Sequence, residues 1–98
     1  MAVTHLMASR NPTALSVDFD GEEDVLYVSL GAPVASYADE QPDGILLRHA
    51  NDTGFPSGVT ALDFRANWRD RRREFYTLVA DYLGVPQSLV RDQIERSI

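Results

Sequence analysis

Five carboxylates crowd into the stretch Asp18, Asp20, Glu22, Glu23 and Asp24, and a loop so rich in hard oxygen ligands is where a calcium ion could be held. The spacing Asp-x-Asp-Gly-x-x-Asp lacks the distal bidentate Glu and the alternating ligands of a calcium loop. The structural reading is therefore favoured: Asp20 bonds its own turn, Asp24 caps the incoming strand, and no metal is expected. His5 and His49 are the only histidines. His49 alternates with Leu47, while Arg48 faces the other way, and no neighbour marks His49 as a ligand or a base. A packed or surface role is expected for it. No Ser, His and Asp stand in a nucleophile-elbow context, and no glycine-rich phosphate loop is present. With no cysteine in the chain, disulfides, thiolate metal sites and Cys nucleophiles are excluded as well. The expectation is a protein without enzymatic activity or cofactor.

Two further groups of residues could bind rather than react. Arg69, Arg71, Arg72 and Arg73 stand in what reads as the first turns of a helix, where positive charge opposes the helix dipole. They could grip an anion such as a phosphate. They could equally bridge to acidic strands and cover the ring of Trp68, and the acid excess of residues 18–43 favours that second role. At about 100° per residue, Arg72 projects roughly 40° from Trp68 along the same stripe. Farther on, Ala80, Gly84 and Val90 meet the three packing requirements of a helix-turn-helix: a small residue, a turn glycine, and an apolar residue six positions beyond it. Gln87, Ser88 and Arg91 would then lead the recognition helix. Gln93 departs from that pattern, and Arg91 and Arg96 are balanced by Asp92 and Glu95. A helical hairpin packed on a sheet meets the same requirements.

These groups must be positioned by a small scaffold. The chain has 98 residues, 44% of them hydrophobic and 24% charged, which describes one folded domain of modest core. Residues 1–13 read as a loose N-terminal arm without the character of a signal peptide, and residues 14–98 as a single domain. Leu15, Val17 and Phe19 alternate with polar residues as a first strand. A turn at Gly21–Asp24 leads into a second strand, Val25–Leu30, which carries Tyr27. Residues 34–44 read as a polar connection with an acidic tip. Ile45–His49 and Gly58–Phe64 are the third and fourth strands, Gly58 extending the turn between them. Short loops throughout favour an antiparallel meander. A helix follows, with Asn67 as N-cap and Gly84 as its stop; Trp68, Phe75, Val79 and Tyr82 form its apolar stripe. A second helix begins near Pro86. The fold class expected is α+β: a four-stranded antiparallel sheet with two C-terminal helices packed on one face.

The block Asp20 to Val28, the run Asp43-Gly44-Ile45-Leu46-Leu47 and the run Gly58 to Asp63 resemble DUF 2283, a family of small uncharacterised bacterial proteins. The resemblance covers roughly residues 15–66. Phe19 stands where the family often has tyrosine, and the Asn51–Ser57 loop is longer than usual. The resemblance implies a β-rich fold and no established activity, and because some members are encoded beside small toxin-like proteins it implies antitoxin-like pairing as one hypothesis. Charge adds a second pointer. Residues 1–63 carry ten acids against two arginines, and residues 64–98 seven arginines against five acids. The halves can attract each other within or between chains, while the net charge of −6 disfavours general binding to a nucleic-acid backbone. The expected function is a cytoplasmic protein-interaction or regulatory module. It would be homodimeric or paired with a small cognate protein and would have no membrane association. The alternative is an antitoxin-like DNA-binding regulator.

Overall fold

A computed structural model describes residues 15–98; the expected arm at 1–13 and His5 lie outside the described residues. Five strands form one antiparallel sheet: β1 Leu15–Asp20, β2 Val25–Leu30, β3 Ser36–Glu40, β4 Ile45–Ala50 and β5 Pro56–Leu62. Three helices follow, α1 Phe64–Trp68, α2 Arg72–Leu83 and α3 Gln87–Ser97. The α+β class and the C-terminal helices agree with the sequence reading. No helix among the described residues is long and apolar enough to cross a membrane.

Two expectations about the sheet need correcting. The segment expected to be a polar connection contains β3, a strand exposed along nearly its whole length. Its polarity hid it, because a strand at the rim of a sheet has little to bury and so shows no apolar alternation. The order is β1-β2-β5-β4-β3, a Greek-key arrangement and not a meander. The last strand is the most thoroughly buried, with Ser57 to Ala61 all inside, and it takes the central position between β2 and β4. The Gly31–Ala35 link then crosses the end of the sheet over three strand spacings, roughly 14 Å.

One face of the sheet carries Leu26, Val28, Ile45, Val59 and Ala61, all at most 1% exposed. The helices lie on this face, α2 against β5 and α3 against α2 and β1. Phe64 seats its ring 5.0 Å from that of Phe75, edge to face. Phe75, Val79, Val90 and Ile94 are fully buried, and an apolar side chain of this kind contributes about 1.5–3 kcal/mol when taken out of water. Of the stripe read from the sequence, Phe75 and Val79 stand on the core face of α2, while Trp68 is buried in α1 and Tyr82 is only partly buried. Gly84 ends α2 at φ 72°, a left-handed position that glycine takes without strain.

The start of the helical region also differs. Asn67 is not an N-cap: it sits inside α1, and its side-chain Nδ2 donates to the carbonyls of Asp43 and Leu62. The chain makes one short helical turn, breaks at Arg69–Asp70 and restarts at Arg72. Trp68 explains the pause, since its buried ring closes α1 onto the core while its Nε1 donates to the Asp43 carbonyl at 3.2 Å.

Candidate functional site

The acidic turn is a piece of architecture. Asp20 Oδ1 accepts the backbone N–H of Glu22 and of Glu23, each at 3.1 Å, so one carboxylate oxygen is consumed by its own turn. Asp24 caps a helix, not the strand it precedes. Its carboxylate accepts the Arg65 N–H at 3.0 and 3.1 Å and the Arg65 Nε at 2.9 Å, and its carbonyl accepts the Phe64 N–H. Burial alone would push the Asp24 carboxyl up, but the donors of Arg65 and the Ala66 N–H outweigh it and hold the group below its ordinary value.

The arginines at 69–73 are not brought together as one patch. Arg71 lies over the Trp68 ring, 4.3 Å from its centroid, and pairs with Asp43 at 3.1 Å and Glu74 at 3.3 Å. Arg72 lies over Phe64 at 5.3 Å. Arg71 thus pairs with an acid and covers Trp68, whereas Arg72 covers a different ring and has no carboxylate partner among the described residues. Arg69 and Arg73 are exposed, the first in the break between α1 and α2, the second in the first turn of α2.

In the helical hairpin, Ala80 is 6% and Val90 0% exposed, on either side of the left-handed Gly84. Gln87 and Ser88 are exposed in the first turn of α3. Arg91 donates to Asp92 at 3.0 Å, which cancels the charge a recognition helix would offer a phosphate.

His49 forms a tie between elements. Its Nδ1 faces the Gly54 carbonyl at 3.2 Å and its Nε2 faces Asp39 Oδ2 at 3.0 Å. Tyr37 stacks on the ring at 5.1 Å. The Tyr82 hydroxyl lies 3.3 Å from Nε2 and donates to the Arg48 carbonyl at 2.7 Å, joining α2 to β4. Among the described residues no group of three or more His, Cys, Asp or Glu side chains is arranged to hold a metal ion.

The residue that sequence reasoning passed over is Arg48. It lies on the sheet face opposite the helices and reaches across Gly58 to β2. There its Nη2 donates to the Val28 carbonyl at 2.6 Å and to Ser29 Oγ at 3.0 Å. A Cβ on Gly58 would collide with the guanidinium and with the Val28 carbonyl. Burial pushes the Arg48 guanidinium down from its ordinary value, with Tyr82 and Tyr27 opposing. Around it Ser16, Asp18, Asp20, Tyr27, Ser29 and Pro33 line a groove of about 440 Å³. The signal available in the sequence was a strand arginine directly before His49 and a glycine in the adjacent strand; only the register pairing Arg48 with Gly58 joins them.

The fold and these arrangements define a two-layer α+β protein in which, among the described residues, one sheet face is covered and one open. Comparisons with protein families, curated proteins and solved structures return no match.

Proposed function

We propose that this chain is a non-enzymatic, cytoplasmic protein-interaction module of regulatory kind that works as a homodimer or with a small cognate protein. The observation that supports the reading is the end of the β3 edge. Val34, Tyr37 and Phe55 are 53%, 51% and 71% exposed, and the backbone beside Val34 and at Phe55 is tied to the end of β4, the Asn51 N–H bonding the Ala35 carbonyl and the Ala50 N–H the Phe55 carbonyl. Among the described residues β3 pairs with β4 on one side only. A one-sided strand flanked by exposed apolar side chains is the element that strand addition uses. A two-fold axis at Ala38 would set Tyr37 of one copy opposite Asp39 of the other, so no two carboxylates would stand directly opposed.

Mass by light scattering, at up to about 0.1 mM where a micromolar dimer is nearly saturated, tests it. The expected result is a dimer in the wild type and a monomer with unchanged circular dichroism in the double variant Val34→Asp, Phe55→Asp. A wild type that stays monomeric, alone and with every small protein recovered with it from its own cells, ends this reading.

The second reading, an antitoxin-like regulator reading DNA through Gln87, Ser88 and Arg91, keeps one supporting observation: Ala80, Gly84 and Val90 pack the α2–α3 turn as such a motif requires. Fluorescence anisotropy with duplex DNA at low salt decides it. Salt-sensitive binding that Arg91→Ala weakens would place this reading first.

A further inference from the structure

The groove on the open sheet face lies apart from the β3 edge and carries a separate inference. Arg48 is its floor. Among the described residues no carboxylate pairs with this guanidinium: its Nη2 bonds a carbonyl and a hydroxyl, and its buried Nε has no partner. Nη1, which is not among the buried unpartnered atoms, makes no hydrogen bond to the described residues, and Arg48 lines the groove. A half-buried guanidinium held without an anion is costly, and a buried polar atom left unpaired needs a reason.

The opposite charge is near but not in contact. In the β1–β2 register Ser16 stands opposite Ser29, so Asp18, two residues on, is the diagonal neighbour of Ser29, roughly 7 Å away. Ser29 is bonded to the guanidinium at 3.0 Å. Asp18 makes no ion pair among the described residues and lines the same groove. A plus and a minus charge thus face one cavity, too far apart to satisfy each other. A lone anion at Arg48 would be opposed by Asp18 and Asp20, and a lone cation at Asp18 would leave Arg48 unanswered. A molecule carrying both charges about 3 Å apart, the separation set by N–Cα–C geometry, answers both. The volume suits a small ligand.

We propose that this groove binds a small zwitterion of the α-amino-acid class. Its carboxylate accepts from Arg48 Nη1 and from the Ser29 hydroxyl, whose oxygen already accepts from Nη2. Its ammonium group donates to Asp18, and its side chain lies toward Tyr27 and Pro33. Gly58 is part of the site because only a residue without a side chain lets the guanidinium lie flat across β5.

The test uses the full chain and the free L-amino acids, screened singly at about 10 mM by thermal shift and by amide NMR, with acetate and methylamine as single-charge controls. At least one amino acid should raise Tm by roughly 5 °C and shift the Ser16 and Ser29 amides saturably, while each control does far less. Asp18→Asn, on an exposed position of an edge strand, should weaken that binding about tenfold or more and leave the ligand-free Tm unchanged. Arg48→Gln should abolish it, and because that change can also disturb the fold, Asp18→Asn carries the decision. No amino acid acting at 10 mM, acetate binding as well as the amino acids, or undiminished binding in Asp18→Asn would each overturn the proposal.

Discussion

Replacing Asp24 with alanine cuts the link between the first hairpin and α1, and the structure gives the size of the effect. The lost cap is worth about 1 kcal/mol, with a range of about 0.5–2. The Arg65 ion pair adds a few tenths at most, since the Arg65 side chain is 47% exposed and such pairs are screened. Asp24 also holds φ at 58°, a left-handed position that Asp tolerates and where alanine costs about 1 kcal/mol more. The sum is about 2 kcal/mol, a fall in Tm of roughly 8–16 °C for a domain this small. Urea unfolding followed by the single buried Trp68 measures it. Asp24→Gly, which relieves the backbone but still lacks the cap, should recover about half. The pH dependence has a definite sign. Because the folded carboxyl titrates below the unfolded one, its contribution is fully present above about pH 5. It is lost as pH falls past the unfolded value near 4 and through the lower folded value. The gap between wild type and Asp24→Ala should therefore narrow in acid. An alanine variant within about 0.5 kcal/mol of wild type, or a gap that does not narrow, would show that Asp24 is only a solvated turn residue.

Other expected outcomes follow from single contacts. Gly58→Ala should destabilise by about 1–3 kcal/mol through overpacking against Arg48 and the Val28 carbonyl, and Arg48→Ala in the same chain should recover only part, because the carbonyl remains. Tyr76→Phe removes the bond from the Tyr76 hydroxyl to Glu95 at 3.0 Å and should cost about 1 kcal/mol in urea. Burial pushes both Tyr76 and Tyr82 up, so their contribution is complete below the unfolded value near 10 and fades as pH rises through the folded values; Tyr76→Phe should flatten part of that alkaline loss. Gly84→Ala, with open space around it but φ at 72°, should cost about 1 kcal/mol from the backbone alone.

Much of the fold was legible because burial writes a period into the chain. Leu15, Val17 and Phe19 read as one face of a strand, and Phe75 and Val79, the middle of the expected stripe, as the inner face of α2. β3 was not legible: Ser36, Tyr37, Ala38, Asp39 and Glu40 are at the rim, where backbone bonds to β4 and the polar and ring contacts of Ser36, Tyr37 and Asp39 hold the strand, and none of these writes an apolar alternation into the sequence. The strand order was hidden for a related reason. Short loops argue for neighbours, but β5 is the strand buried from Ser57 to Ala61, and Ser57, Gly58 and Thr60 mask that burial in a simple hydropathy reading.

The arginines show how far residue type falls short of role. Arg71 was expected either to hold an anion or to cover Trp68, and the ring contact with two carboxylates beside it leaves that guanidinium satisfied. Arg65, in no motif at all, is the partner of the acidic turn. Arg48, read as facing away from His49, is half-buried with no carboxylate against it among the described residues, and Arg72 over Phe64 shares that lack. What separates these cases is the distance to the nearest acid, which depends on register: Asp24 meets Arg65 because the β1–β2 turn abuts the start of α1, whereas Arg48 is one diagonal step short of Asp18. A cation one step from its counter-charge, over a groove of ligand size, is where a bound molecule would add most, because it would complete two half-satisfied groups at once.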